Sequence, residues 1–103
     1  MSDELREQIK KDQETEEMAK ALHRLNFGVD FKKVIQQYLL TQVPNELVSS
    51  LACLVPDSPE YKEIIRTLDH ISYLRQFFKD IEAAGVIAQG AIREAQAILN
   101  NED

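Results

Sequence analysis

An all-α fold follows from three features of the 103 residues. Apolar side chains recur at three- and four-residue spacing along most of the chain. No segment alternates apolar and polar over strand length, and no Asn-Gly or Asp-Gly hairpin turn occurs. The expected architecture is two or three short helices packed on one long C-terminal helix, a helical bundle completed by oligomerisation. A chain of this length forms one domain, expected over residues 1–103, with residues 1–17 frayed or projecting.

The first helix is expected from Met1 to about Asn26. Leu5 and Ile9 lie one turn apart, and Met18, Leu22 and Leu25 continue the helical spacing. Residues 10–17 between them carry no large apolar side chain. Pairs of the Lys10–Glu14 type support such a stretch by only about 0.2–0.5 kcal/mol each, hence the expectation of fraying. Gly28 is placed to end this helix in a left-handed cap. Asp30 is then expected to N-cap the second helix, with Val29 and Val34 as a hydrophobic staple.

That second helix carries its stripe on Phe31, Val34, Ile35, Tyr38 and Leu39, with Lys32, Lys33, Gln36 and Gln37 opposite. Pro44 predicts either a kink or a new helix with proline in its first turn. The apolar series resumes at Leu47, Val48, Leu51, Ala52, Leu54 and Val55. The run Val55-Pro56-Asp57-Ser58-Pro59 then breaks the chain, with Ser58 as N-cap and Pro59 at the first helical position.

From Pro59 to about Asn100 one series is sustained: Ile64, Leu68, Ile71, Leu74, Phe78, Ile81, Gly85, Ala88, Ile92, Ala95 and Leu99. A single helix of that extent would be about 60 Å long, against a diameter of roughly 26 Å for a compact domain of this size. The helix must therefore protrude into an assembly or break, most easily at Gly85 or Gly90, each costing about 1 kcal/mol relative to alanine. The 3,3 step around Ile71 argues against a long regular coiled coil.

Composition excludes several classes. The 18 acidic and 12 basic residues give a net charge of -6. Block by block the charge is -3, +2, -3, +1 and -3 over residues 1–20, 21–40, 41–60, 61–80 and 81–103. Acid dominates both ends, which disfavours nucleic acid and anionic membrane as partners. No apolar run approaches the roughly 18–20 residues of a membrane span, and the charged start lacks a signal peptide's apolar stretch. A cytoplasmic location is therefore expected. The one cysteine, Cys53, forms no internal disulfide and reads as a small buried hydrophobe.

Active-site patterns are missing. The sequence has no phosphate-loop or dinucleotide glycine motif, no CxxC and no HExxH. Two histidines and one cysteine cannot by themselves build a structural zinc site. No catalytic residue, metal site or cofactor is expected, and the chain reads as a non-enzyme. Tyr73 and Phe77 are expected to widen the apolar face beside Phe78, or else to anchor a partner. Arg24, Lys32 and Lys33 surround the Gly28 turn with Phe27 and Phe31 among them. They are the residues that a small phosphorylated ligand, such as a nucleotide, would use.

Residues 83–91, AAGVIAQGA, are almost free of bulk. Small side chains let helix axes approach more closely than the usual 8–10 Å. Either another helix of the same chain fills that groove, or a second copy does. The self-association surface expected on this stripe comprises Phe78, Ile81, Ala84, Gly85, Ala88 and Ile92.

The series Phe31, Tyr38-Leu39-Leu40, Glu46, Leu51, Leu54, Asp57, Ile65, Leu68, Ile71, Phe78, Ile81, Gly85 and Ala88 resembles small uncharacterised helical accessory proteins of tailed bacteriophages, over about residues 30–92. Pro44 departs from the unbroken helix of that pattern. The resemblance implies a phage or prophage origin, the host-cell cytoplasm as location and an accessory, non-enzymatic role; it transfers no functional residue. The function expected from the sequence is self-association through the long helix together with binding of another protein, a host factor or a virion component. The alternative is an oligomer that binds or sequesters a small phosphorylated ligand.

Overall fold

The computed structural model describes residues 2–101; the expected helix start at Met1 lies outside them. The described residues contain helices, turns and no strand. The order is α1 (Ser2–Asn26), α2 (Val29–Phe31), a π-helix (Lys32–Gln42), α3 (Val43–Leu51) and α4 (Pro59–Asn101). The long C-terminal helix α4 packs with the shorter helices. It runs unbroken through Gly85 and Gly90. The backbone groups into two compact units, residues 2–25 with 78–101, and Asn26–Phe77.

The first unit is a helix pair. α1 has Asp3 and Glu4 in its first turn and His23 and Arg24 in its last, the charge order that favours a helix dipole. It is laced by Gln8 donating to Asp12 at 3.2 Å and by the Lys20–Glu16 ion pair at 3.1 Å. It remains helical across residues 2–17, where fraying was expected, and Ile9 is buried. The seam is set at Gly85, where a Cβ would overlap the Cβ of Ala19. Buried positions fall symmetrically about that contact. Ile9 lies ten residues before Ala19 and Ala95 ten after Gly85, as an antiparallel pair requires. Leu22, Ala88 and Ile92 complete the buried apolar set of this unit.

The second unit departs from the sequence expectations at its start. Gly28 has φ -67° and ψ 130°, so it makes no left-handed cap; it is itself the N-cap, its carbonyl accepting from the Lys32 N–H at 3.0 Å. Asp30 therefore falls inside the first turn, where its charge still suits the helix end. Beyond Phe31 the winding loosens to π, with the Val43 N–H donating to the Tyr38 carbonyl five residues back. Such a helix holds more residues per turn than the roughly 3.6 of an α-helix. The stripe moves accordingly. Phe31, Ile35, Leu39, Leu40, Val43 and Leu47 are half-buried, whereas Val34 and Tyr38 turn outward. Gln36 turns inward and donates to the Asn26 side chain at 2.8 Å.

Pro44 sits in the first turn of α3. Having no N–H, it leaves the carbonyl of Leu40, four residues back, without its α-helical donor. Arg75 of α4 donates to that carbonyl from its guanidinium. α3 then ends at Leu51, and Cys53 is exposed instead of buried, because the chain has left the helix there.

The break before α4 forms as the sequence predicts. The Ser58 N–H donates to the Val55 carbonyl at 3.1 Å, closing a turn with Pro56 second and Asp57 third. Asp57 has φ 65°, a left-handed conformation that aspartate tolerates better than most residues. The Ser58 hydroxyl accepts from the Tyr61 N–H at 3.2 Å, capping α4 behind Pro59.

Ser58→Ala is therefore expected to cost about 1 kcal/mol in urea denaturation. The two glycines of α4 should respond oppositely to alanine. At Gly85 the added Cβ meets Ala19, and overpacking costs about 1–3 kcal/mol. That outweighs a helix gain near 1 kcal/mol, so the melting temperature falls. At Gly90 nothing lies within 4 Å of an added Cβ. There the gain of about 1 kcal/mol should raise the melting temperature by roughly 4–8 °C.

Candidate interaction surface

The C-terminal half of α4 is apolar on two sides. Of the residues expected to mediate self-association, Gly85, Ala88 and Ile92 are buried, and Phe78, Ile81 and Ala84 are half-buried. Their stripe faces α1 of the same chain, because Gly85 and Ala19 let the two axes approach closely. The small-residue groove is thus filled from within.

The opposite side of the helix is open. Val86 and Ile87 are 71% and 73% exposed, with Ala83, Gly90, Ala97 and Ile98 exposed around them. At 100° per residue these positions cluster about half a turn away from Gly85, Ala88 and Ile92. AAGVIAQGA carries one polar side chain, Gln89, so small or apolar residues lie on both faces of the helix there. A single stripe at three- and four-residue spacing passes over Ile87, which is exposed.

A groove of about 650 Å³ runs beside the Ala19–Gly85 contact. Lys20, His23 and Arg24 stand along one wall, and Glu82, Val86 and Gln89 along the other. Its charges are largely matched: Lys20 pairs with Glu16 and Arg24 with Glu17, both at 3.1 Å. Basic residues proposed from the sequence for a phosphorylated ligand divide between the units, Arg24 in the first and Lys32 and Lys33 in the second. Lys32 lies over the Phe27 ring, 5.5 Å from its centroid, a cation–π contact.

The second unit exposes apolar side chains of its own. Tyr73 is 75% exposed, with Phe77 exposed one turn on, so this pair lies at the surface and does not widen a core. Val34 and Tyr38 are turned out by the π winding, and Val29, Val48 and Val55 are exposed as well. Among the described residues no cluster of three or more His, Cys, Asp or Glu could hold a metal ion. No described helix is long and apolar enough to cross a membrane.

Comparisons with family models, curated proteins and solved structures find no match to the chain.

Placing Ile92 in the intramolecular seam has a measurable consequence. Ile92→Ala should lower the unfolding free energy by about 2–4 kcal/mol, read by urea denaturation at a single low protein concentration. A variant of a purely intermolecular contact would leave that value unchanged.

Proposed function

We propose that the chain is a non-enzymatic interaction protein: it self-associates through α4 and presents a second apolar surface to another protein. The observation carrying this reading is the exposure of Val86 and Ile87 in mid-helix, on a segment whose other side is already buried against α1. Contiguous apolar surface on a soluble protein marks a binding site more often than chance. The exposed Tyr73 and Phe77 of the second unit support a further partner, since aromatic side chains at a surface are frequent binding anchors. The matched charges of the groove beside Gly85 support binding by apolar contact over capture of a phosphate. An accessory role in a phage or prophage, with a host factor or a virion component as partner, agrees with the resemblance of residues 30–92.

Light scattering across tens to hundreds of micromolar tests the first half. The mass should rise with concentration, as for an interface in the smaller, transient class. Ile87→Glu should hold the chain at monomer mass with an unchanged unfolding midpoint, because Ile87 has no place in the intramolecular seam. A wild-type mass that stays monomeric throughout would remove self-association.

A further inference from the structure

The open face of α4 has an internal order that says what covers it, given the self-association proposed above. Its centre line is Ala83, Gly90 and Ala97, one small residue every seven. Along one edge run Lys79, Val86 and Arg93; along the other run Asp80, Ile87 and Glu94. All nine positions are exposed. The face is therefore small along its middle, apolar at Val86 and Ile87, basic at both ends of one edge and acidic at both ends of the other.

Gly90 is the least explained residue of this helix within the chain itself. It weakens a helix interior by about 1 kcal/mol relative to alanine, and a Cβ there would meet nothing within 4 Å. Gly85, five residues earlier, has the close approach of Ala19 as its reason. A second close-packed helix over the Ala83–Gly90–Ala97 line would give Gly90 the same one.

Symmetry decides which way that helix runs. A two-fold axis parallel to α4 carries each edge of the face onto the opposite edge of a second copy. Lys79 then meets the partner's Asp80, Arg93 meets the partner's Glu94, and Val86 packs against the partner's Ile87. The small centre lines face each other in register. A two-fold axis perpendicular to α4 instead leaves each edge on its own side, so basic edge abuts basic edge and acidic abuts acidic. Like charges brought together select against a pairing, and opposite charges fix its register.

We infer that the partner on this face is a second copy of the chain, paired in parallel and in register along Ala83, Gly90 and Ala97. The seven-residue repeat gives the pair a left-handed supercoil, and the contact is isologous. Alanine and glycine on the centre line bring the axes closer than Leu-based seams allow. The 3,3 step around Ile71 belongs to the other stripe and does not interrupt this one.

Cysteine cross-linking in a Cys53→Ser background tests the arrangement alongside light scattering. Ala83→Cys and Ala97→Cys are each expected to form a covalent dimer with themselves under mild oxidation. Gln96→Cys, exposed but off the face, should form none. In an antiparallel pair the two-fold crosses the helix at one level, so at most one of the two centre-line positions could self-link. Arg93→Glu should raise the dimer Kd roughly three- to ten-fold, and Arg93→Glu combined with Glu94→Arg should restore it. A dimer by light scattering that self-links at only one position, or at neither, overturns the parallel seam while leaving self-association standing. A chain that is monomeric at all concentrations overturns the self-association itself.

Discussion

The close approach of Ala19 and Gly85 governs the first unit and, through it, the surface available for function. With no side chain at one position and a methyl group at the other, α1 and α4 settle at a separation that bulkier residues would forbid. Ile9, Leu22, Ala88, Ile92 and Ala95 are buried as a result. None of the described side chains is fully buried, so the pair relies on close backbone approach more than on a deep core. Dispersion between closely spaced helices is favourable in many small increments. The same approach also fixes the rotation of α4 about its own axis, which leaves Val86 and Ile87 facing away. One contact thus determines both what is buried and what is presented.

In the second unit a local constraint is the missing N–H of Pro44, which leaves the Leu40 carbonyl to the Arg75 guanidinium. An α-helix running through residues 31–51 would leave the Leu40 carbonyl without its donor and press the proline ring against it. The chain winds as π through Lys32–Gln42 and enters α3 at Val43, with Arg75 donating to the Leu40 carbonyl. π-Winding is rare and appears mostly as single turns, often at functional sites; here it extends over 11 residues. Its effect on the surface is concrete. Val34 and Tyr38 become exposed, while Gln36 turns in to bond Asn26. An apolar surface arises from a backbone adjustment and not from any change in composition.

Much of the fold was legible because local rules and tertiary packing agree. Ser58 and Pro59 begin α4 as cap and first residue, since both groups act within one turn of the backbone. Periodicity found the long helix, and of the small residues at 83–91 it is Gly85 that stands against Ala19. Local reasoning could not choose the occupant of that approach, because small side chains suit α1 of the same chain and a second copy equally well. Gly28 misled for a related reason. Either a helix end or a helix start can use glycine, and the backbone there is extended, which any residue could adopt. The π register was invisible because a stripe at Phe31, Val34, Ile35, Tyr38 and Leu39 fits an α-helix equally well. The two differ in which carbonyl each N–H reaches, as the Val43 N–H does in donating to the Tyr38 carbonyl five residues back.

Net charge opposes assembly. Two acidic chains of net charge -6 repel each other when they associate. That cost is smallest where the contact itself is close to neutral. Within residues 78–101 the charged side chains are Lys79, Asp80, Glu82, Arg93 and Glu94, a sum of -1, whereas residues 2–26 hold seven acids and five bases, a sum of -2. The long helix is therefore the better balanced of the two helices in its unit, and its charges stand at the ends of an apolar centre. Repulsion over distances beyond roughly 8–10 Å is screened by physiological salt. Contacts between adjacent edges of the proposed pair are shorter than that and keep their sign. In the parallel pairing proposed above, the net charge acts at long range and the edge pattern at short range, so repulsion between whole chains and recognition between faces are set by different residues.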